Sequence, residues 1–248
     1  MEGRSTEIID SVQHLHSATI LWLLNGKSFP ENDLQRLTCR LSPSETRRLV
    51  HFTRSVRRRQ FVLGRVLLRY AVAAVTGHAS DNFSVLERSG EAPQLLMNDP
   101  SYLPPSFSLS HSGDWIACVV SPAAAVGLDI EVNRPDRDFD DICTLAFRER
   151  EQLWFGARPF TERCAAFYLL WCVREASYKL QCNLGSSAEA LRLVDDDSDA
   201  HSCRPGVYPY QVPVDDLGLT AVIVSNEPLS GIRKIVLKES ATISDLIS

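Results

Sequence analysis

The chain has 248 residues, of which 44% are apolar, so it can bury a globular core as one large domain or two modest ones. Its formal charge of −5 and pI near 5.7 exclude a general nucleic-acid binder, which would present a basic face. The first residues are acidic where a signal peptide is basic, and no apolar run approaches the roughly 18 residues of a membrane helix. We therefore expect a cytoplasmic protein with no nucleic-acid or membrane partner.

The cysteines and histidines are dispersed along the chain. No C-x-x-C pair occurs among the seven cysteines, which lie in or beside apolar runs. An odd, unpatterned set favours reduced core thiols over disulfides or a structural zinc site. The cysteines are Cys39, Cys118, Cys143, Cys164, Cys172, Cys182 and Cys203.

The first half of the chain predicts a strand followed by a helix before about residue 40, then two further helices and three further strands. Residues 19–24 form a short apolar run typical of a strand. Ser42, Pro43 and Glu45 have the pattern of a capping box, so a helix should run from there toward residue 53. A longer helix over 54–76 should end at Gly77. Short strands follow at 83–86 and, joined by a turn, within 107–121.

The second half repeats this order. A strand is predicted at 126–132, helices near 139–155 and over 161–182, and strands near 191–194, 208–214 and 219–224. Both long helices end near a glycine, and the later strands have similar sequences. We predict an α+β fold of two similar lobes, residues 1–123 and 124–248, related by pseudo-twofold symmetry. Each lobe is a small antiparallel sheet on a long helix, with a ligand site between the lobes.

Two carboxylates occupy one face of the strand at 126–132. Period two places Gly127, Asp129 and Glu131 on the face opposite the apolar side chains. One interpretation is a strand with a solvated face. The other is a site for a hard cation, since Mg²⁺ binds one or two carboxylates together with water and phosphate oxygens.

An acid and a base lie one turn apart on the helix over 161–182. A spacing of four residues places Trp171, Glu175 and Lys179 on one stripe. Such a pair is an ordinary surface ion pair on many helices. The apolar sequence around it, however, favours a functional role.

The segment Phe107-Ser-Leu-Ser-His-Ser-Gly113 brings serines and a histidine together. No G-x-S-x-G elbow is present, and adjacent side chains of a strand point apart, which argues against a serine hydrolase. His111 is either structural or a donor to a phosphate.

Eight arginines lie between residues 47 and 69 of an otherwise acidic chain. A charge run is usually a solvated helix face, but guanidinium groups also bind multiply phosphorylated ligands such as coenzyme A. The set is Arg47, Arg48, Arg54, Arg57, Arg58, Arg59, Arg65 and Arg69.

Taken together, four motifs in this order resemble the Sfp-type 4′-phosphopantetheinyl transferases. They are Ser-Leu-Ser-His-Ser-Gly, Val-Gly-Leu-Asp-Ile-Glu, Phe-Arg-Glu-Arg-Glu and Trp-Cys-Val-Arg-Glu-Ala-Ser-Tyr-Lys. The similarity runs from about Ser42 to Lys179. Two departures from the family pattern occur: Cys172 stands for a serine or threonine and Arg174 for a lysine. In the turn Ser89-Gly-Glu-Ala-Pro93, Glu91-Ala92 replace a single basic residue.

The resemblance implies transfer of the phosphopantetheine arm of coenzyme A to a serine of an acyl, polyketide or peptidyl carrier protein, with release of adenosine 3′,5′-bisphosphate. It implies Mg²⁺ held by Asp129, Glu131 and Glu175, and catalysis by Asp129, Glu175 and Lys179, with Glu175 also a candidate general base. Lys179 would contact the pyrophosphate. The remaining residues that it implies for coenzyme A are Arg48, Arg57, Arg58, Arg59, Ser110 and His111, and Glu151 occupies a further acidic position of the family.

Two other classes of protein remain open on the sequence alone. One is a non-catalytic regulatory protein that binds coenzyme A. The other is a different Mg²⁺-dependent phosphoryl-transfer enzyme, although no Walker or kinase glycine loop is present. Two lobes in one chain would supply the cleft without a partner, so we expect a monomer.

Overall fold

Over the residues that the structure describes, the protein is a mixed α/β structure with six α-helices and several small sheets. The computed structural model describes residues 18–88, 90–185 and 206–237. The α-helices among them are α1 Glu31–Thr38, α2 Pro43–Leu49, α3 Ser55–Thr76, α4 Phe139–Ala146, α5 Glu149–Gly156 and α6 Phe160–Asn183. The strands are β1 Thr19–Asn25, β2 Phe83–Leu86, β3 Gln94–Met97, β4 Ser106–Ser112, β5 Trp115–Ser121, β6 Val126–Val132, β7 Tyr208–Val212, β8 Leu219–Ser225 and β9 Ile232–Leu237.

The strands form a four-stranded sheet, a three-stranded sheet and a hairpin. The four-stranded sheet has the order β4-β5-β1-β9, in which β9 is parallel to β1 and the other pairs are antiparallel. The three-stranded sheet has the order β6-β8-β7 and is antiparallel throughout. Strands β2 and β3 pair separately. Strand β9 therefore carries the end of the described chain into the sheet that contains its first strand.

The two larger sheets pack face to face between the two long helices. In β1, Ile20, Trp22 and Leu24 belong to the apolar cluster that includes α3. The alternate residues Leu21 and Leu23 share a second cluster with β6 and β8. A third cluster joins α4, α5 and α6 to the far face of β8. The layer order is thus helix, sheet, sheet, helix, and the central strands are apolar on both faces because both are buried.

Four serines of β4 join this strand to β6. We call Ser106, Ser108, Ser110 and Ser112 the serine ladder. Their hydroxyl oxygens accept the backbone N–H groups of alternate β6 residues, at 3.0 to 3.3 Å. The opposite edge of β6 pairs with β8. Serine side chains thus satisfy an edge that would otherwise expose unpaired donors.

Several predicted elements are confirmed in their local chemistry. Ser42 and Glu45 form the predicted capping box, in which the Ser42 amide donates to the Glu45 carboxylate at 2.6 Å. Helix α3 ends at Gly77 in the left-handed conformation, with φ 70°. The apolar side chains of β6 face the core as predicted, since Val126, Leu128 and Ile130 all lie between the sheets.

Other element boundaries differ from the prediction. The helix from Ser42 ends at Leu49 rather than near residue 53. The single helix predicted near 139–155 is two helices, because the chain is extended at Phe147 and Arg148, where φ/ψ are −106°/154° and −77°/161°. Strands β3 and β9 were not predicted. The strand predicted near 191–194 lies outside the described residues, and the twofold relation of the lobes stays a prediction.

Candidate active site

A cavity of about 640 Å³ lies where α3, β4 and α6 converge. Its walls include side chains from both long helices, α3 and α6. It is lined by Arg48, Phe52, Arg57, Gln60, Phe61, Gly64, Arg65, Gly90, Glu91, Ala92, Pro93, Phe107, Ser108, Leu109, Ser110, His111, Ile116, Tyr178, Lys179, Cys182 and Asn183.

The structure separates the predicted arginines into two groups. Arg48 and Arg57 line the cavity, whereas Arg58 and Arg59 do not. The Arg59 guanidinium donates to the backbone carbonyls of Gly26 and Phe29, because the first turn of α3 places it over the loop after β1. Arg58 reaches the carbonyl of a residue at the end of α2. Arg57 is thus the member of this run that contacts the candidate site.

A network of buried ions holds α2, with Arg48, against α3. Glu45 accepts two hydrogen bonds from Arg69, at 3.0 and 2.6 Å, and its carboxylate is 0% exposed. Arg65 lies between Glu45 and Glu87 and donates to the latter. Glu87 is also 3.4 Å from the Arg48 guanidinium. This network holds α2 against α3 and so brings the partly exposed Arg48 guanidinium to the cavity as an ion-pair partner of Glu87.

His111 projects from β4 at the cavity rim beside Arg57. One guanidinium nitrogen of Arg57 lies 3.0 to 3.1 Å from the imidazole nitrogens. Neighbouring protein atoms displace solvent and lower the pKa of His111, and the charges of Arg57 and Lys179 lower this pKa further. The imidazole is therefore disposed to be neutral and to accept from Arg57 until an anion arrives.

The carboxylates of β6 are brought beside α6 by a glycine. A Cβ at Gly127 would lie 1.9 Å from the carbonyl oxygen of Ala176 and 2.6 Å from the amide nitrogen of Leu180. Both atoms are helix backbone, so only glycine permits this approach of strand to helix. The predicted face of β6 is therefore the face toward α6, and Asp129 and Glu131 follow Gly127 along it.

Lys179 makes three contacts at the first of these carboxylates. Its ammonium donates to Asp129 Oδ1 at 2.7 Å, to the Leu128 carbonyl at 2.9 Å and to Ser110 Oγ at 3.1 Å. Ser110 Oγ in turn donates to Asp129 Oδ1 at 2.8 Å. The single proton of Ser110 is thus bound to Asp129 in this arrangement, although the resemblance implied a contact with coenzyme A.

The acidic groups suit a hard cation in their chemistry. Asp129 is 5% exposed, and its Oδ2 atom is buried with no hydrogen-bond partner. Burial raises the pKa of Glu131, and the nearby Asp129 carboxylate raises this pKa further. A pair of carboxylates, one of which has a buried oxygen without a hydrogen-bond partner, fits Mg²⁺, which completes its coordination shell with water and phosphate oxygens.

Glu175 is not part of a three-residue cluster in this arrangement. Over residues 18–88, 90–185 and 206–237, no three His, Cys, Asp or Glu side chains are grouped closely enough to hold a metal. The two acids of β6 are therefore the pair that the structure brings together. The third ligand stays a prediction from the resemblance.

The two departures from the family pattern have local structural partners. Cys172 is 0% exposed, and its thiol lies 3.8 Å from the Thr220 carbonyl oxygen. Burial raises the pKa of this thiol, as do the charges of Asp129 and Glu131. Arg174 lies 3.8 Å from the Glu151 carboxylate, which also accepts from the amide at the start of α5. Glu151 therefore links α5 to α6.

Sequence reasoning missed three residues whose polar contacts shape the site. Asn183 donates to the carbonyls of Phe107 and Val126, both at 2.8 Å, and so ties α6 to β4 and β6. Gln60 donates to the Gly113 carbonyl at 2.8 Å. Ser112 donates to Glu131 Oε2 at 2.6 Å. The regular Ser-x-Ser-x-Ser-x-Ser pattern of 106–112 was a visible signal for the last of these.

Comparison with known proteins agrees with this arrangement. Residues 125–214, which include the carboxylate pair and all of α6, match the family model described as the 4′-phosphopantetheinyl transferase superfamily. Over these residues the chain is similar to this superfamily. No helix in the described ranges combines the length and the apolar composition that crossing a membrane requires.

Three relatives illustrate the extent of the similarity. The 4′-phosphopantetheinyl transferase HetI of a Nostoc species is 29% identical over 60% of this chain and 63% of its own length. AcpT of Salmonella typhimurium is 33% identical over 56% of this chain and 66% of its own. The transferase psf-1 of Bacillus pumilus is 31% identical over 56% of this chain and 58% of its own length. The chain thus spans less than two thirds of the length of each of these relatives.

Proposed function

We propose that this protein is a 4′-phosphopantetheinyl transferase that moves the phosphopantetheine arm of coenzyme A to a serine of a carrier protein. The observation that carries the proposal is the meeting of Asp129, Glu131 and Lys179 beside a cavity rimmed by Arg48 and His111. The match of residues 125–214 to the superfamily model and the printed names of the matched relatives support the same activity.

The basic rim of the cavity would hold the phosphorylated adenosine end of coenzyme A. Arg48 forms an ion pair with Glu87, and Arg57 lies against the His111 ring. Guanidinium groups bind phosphate through paired, charge-assisted hydrogen bonds. A phosphate near His111 would favour its protonated form, which then donates a further hydrogen bond. We assign this role to Arg48 and Arg57 rather than to Arg58 and Arg59.

The carboxylate side of the cavity would hold the reacting pyrophosphate. Asp129 and Glu131 would bind Mg²⁺, with Glu175 as the third ligand. When bound there, Mg²⁺ neutralises charge on the pyrophosphate oxygens as attack develops. The Lys179 ammonium, already beside Asp129, would reach the leaving phosphate and stabilise its negative charge.

The transfer forms one bond and breaks another at the same phosphorus. The oxygen of the carrier serine attacks the phosphorus that bears the pantetheine arm, and the bond from that phosphorus to adenosine 3′,5′-bisphosphate breaks. The serine proton must leave as the new P–O bond forms. We assign its acceptance to the Glu175 carboxylate, on the helix that carries Lys179.

The direct test is to weigh a carrier protein after incubation. The protein, coenzyme A, Mg²⁺ and an apo carrier from a fatty-acid, polyketide or peptide synthase are combined, and the carrier mass is measured. We expect one carrier class at least to gain the mass of a phosphopantetheine arm. Exhaustive chelation should abolish the gain, and Asp129→Ala should slow it by roughly two or more powers of ten.

The alternatives predict different results in the same experiment. A regulatory protein would bind coenzyme A without changing the mass of any carrier. A different phosphoryl-transfer enzyme would add phosphate alone. Full turnover after chelation would contradict the role of the metal while leaving the transfer itself intact.

A further inference from the structure

The serine ladder contacts the two carboxylates of β6 as well as its backbone. All four hydroxyl oxygens accept a backbone N–H of β6, twenty residues further along the chain. Ser110 and Ser112 also donate their protons to the side chains nineteen residues further along, which are Asp129 and Glu131. At the same offset from Ser106 and Ser108 stand Ala125 and Gly127, which have no carboxylate.

Each donated proton occupies one oxygen of a carboxylate. Ser112 Oγ lies 2.6 Å from Glu131 Oε2, the short distance of a charge-assisted hydrogen bond. The Val132 amide, which donates to the same hydroxyl at 3.0 Å, fixes the oxygen of Ser112 and so the direction of its proton. Glu131 Oε1 is left for another partner. The two oxygens of Asp129 differ in the same way, because Oδ1 accepts hydrogen bonds whereas Oδ2 is buried without a hydrogen-bond partner.

This arrangement reduces the conformational cost of binding a cation. A free glutamate side chain has several rotamers, and fixing one of them costs conformational entropy. A ligand oxygen that is already oriented avoids this cost, and removing a group that orients a metal ligand commonly lowers metal affinity roughly 10- to 100-fold.

We propose that Ser112 is a positioning residue, which holds Glu131 through Oε2 so that Oε1 is directed to the cation. Ser110 does the same for Asp129, but its additional bond to Lys179 makes it a less selective probe. The proposal rests on the proposed function, since that function requires a metal at these carboxylates.

The experiment compares Ser112→Ala with the matched control Ser106→Ala. Both serines are half-buried and both accept one backbone amide of β6, so each variant loses one equivalent hydrogen bond to the backbone. Magnesium chloride is titrated into each protein by calorimetry, with and without coenzyme A, and thermal melts report folding. We expect Ser112→Ala to weaken magnesium binding roughly 10- to 100-fold and Ser106→Ala to change it less than about threefold.

Two further variants separate positioning from structural damage. Ser112→Thr keeps a hydroxyl on a strand-compatible side chain and should retain most of the affinity, whereas Ser112→Cys, a weak donor, should fall between Thr and Ala. In carrier transfer, Ser112→Ala should raise the magnesium concentration needed for half-maximal rate, with little change in the rate at saturating metal.

Equal magnesium affinities of Ser112→Ala and Ser106→Ala would overturn the proposal, as would a folded Ser112→Thr that binds as weakly as the alanine variant. The binding readout is independent of transfer. A protein that modifies no carrier but shows the expected order of affinities would contradict the proposed function and retain this inference.

Discussion

At the scale of single residues, the site is organised by hydrogen bonds that leave defined atoms open. Lys179 reaches across from α6 to Asp129 Oδ1, which ties the helix to the strand before any ligand is present. Because that ammonium also contacts Ser110, the lysine and the serine share one carboxylate oxygen. The second oxygen of Asp129 keeps its capacity for a cation. Charge is therefore partly balanced in the free protein, which lowers the cost of burying Asp129.

The lowered pKa of His111 gives a prediction that tests the cavity rim. Its NMR titration midpoint should lie below the ordinary value of about 6.5, because neighbouring protein atoms displace solvent from the ring and the charge of Arg57 disfavours its protonated form. Because the pKa of His111 is lower in the folded than in the unfolded protein, the neutral ring contributes fully to folding stability above the pKa of the unfolded protein. This contribution is lost as the pH falls through the pKa of the folded protein. Adding coenzyme A should raise the midpoint.

The control for this titration is Arg57→Gln. Removing the guanidinium should move the midpoint only partway toward the ordinary value, since neighbouring protein atoms still displace solvent from the His111 ring. The variant His111→Gln identifies the His111 signal. A midpoint at or above the ordinary value in the free protein would contradict the described environment of His111.

At the scale of elements, the approach of β6 to α6 decides whether the carboxylates reach Lys179. The glycine at the start of Gly127-Leu-Asp-Ile-Glu131 is required by packing, since a side chain there would meet helix backbone. Asn183 secures the other end of this contact by donating to carbonyls of β4 and β6. The motif thus combines a packing residue with the acidic residues that the packing positions.

Gly127→Ala should damage the fold at this contact. The added methyl would meet the Ala176 carbonyl oxygen at 1.9 Å, and neither backbone segment can move independently of its element. We expect a loss of about 3 kcal/mol or more and a fall in melting temperature of roughly 6 °C or more. Calorimetric or circular-dichroism melts provide the measurement.

The matched control is Gly64→Ala within α3. The nearest atom to its added methyl is a side-chain carbon of Ile116 at 3.8 Å, an ordinary contact. Alanine is favoured over glycine in a helix by about 1 kcal/mol, so this variant should be as stable as the parent or more so. Equal melting temperatures for Gly127→Ala and the parent would refute the close approach.

At the scale of the whole molecule, the last described strand belongs to the sheet of the first. Strand β9 pairs parallel to β1, from Thr19 opposite Ile232 to Leu24 opposite Leu237. A division of the chain into residues 1–123 and 124–248 would therefore separate β9 from β1 and leave β1 at an unpaired edge of the sheet. It would also uncover the apolar layer between the two sheets.

This topology predicts that residues 1–123 do not fold alone. The fragment would expose both the unpaired edge of β1 and the face that includes Leu21 and Leu23, which favours aggregation. We expect no cooperative melt from the isolated fragment. Co-expression with residues 124–248 should restore a soluble complex that melts like the intact chain. A stable, monomeric fragment 1–123 would instead support two independent lobes.

Local pattern was enough to predict most elements and the strand face that the two carboxylates share. Period two placed Asp129 and Glu131 on one face of β6, and the capping box at Ser42 marked the start of α2. These features depend on residues a few positions apart, whose geometry follows from the strand or the helix itself. The same locality explains why both carboxylates could be assigned to a hard-cation site before any contact was known.

Tertiary structure decided which candidate residues meet. Arg57 lines the cavity while Arg59 binds the loop after β1, although both belong to one basic run. The partner of Lys179 is 50 residues away, and the strand beside β1 comes from the far end of the described chain. Contacts of this kind depend on how helices and sheets pack, because sequence periodicity specifies the face of an element and packing specifies what that face touches.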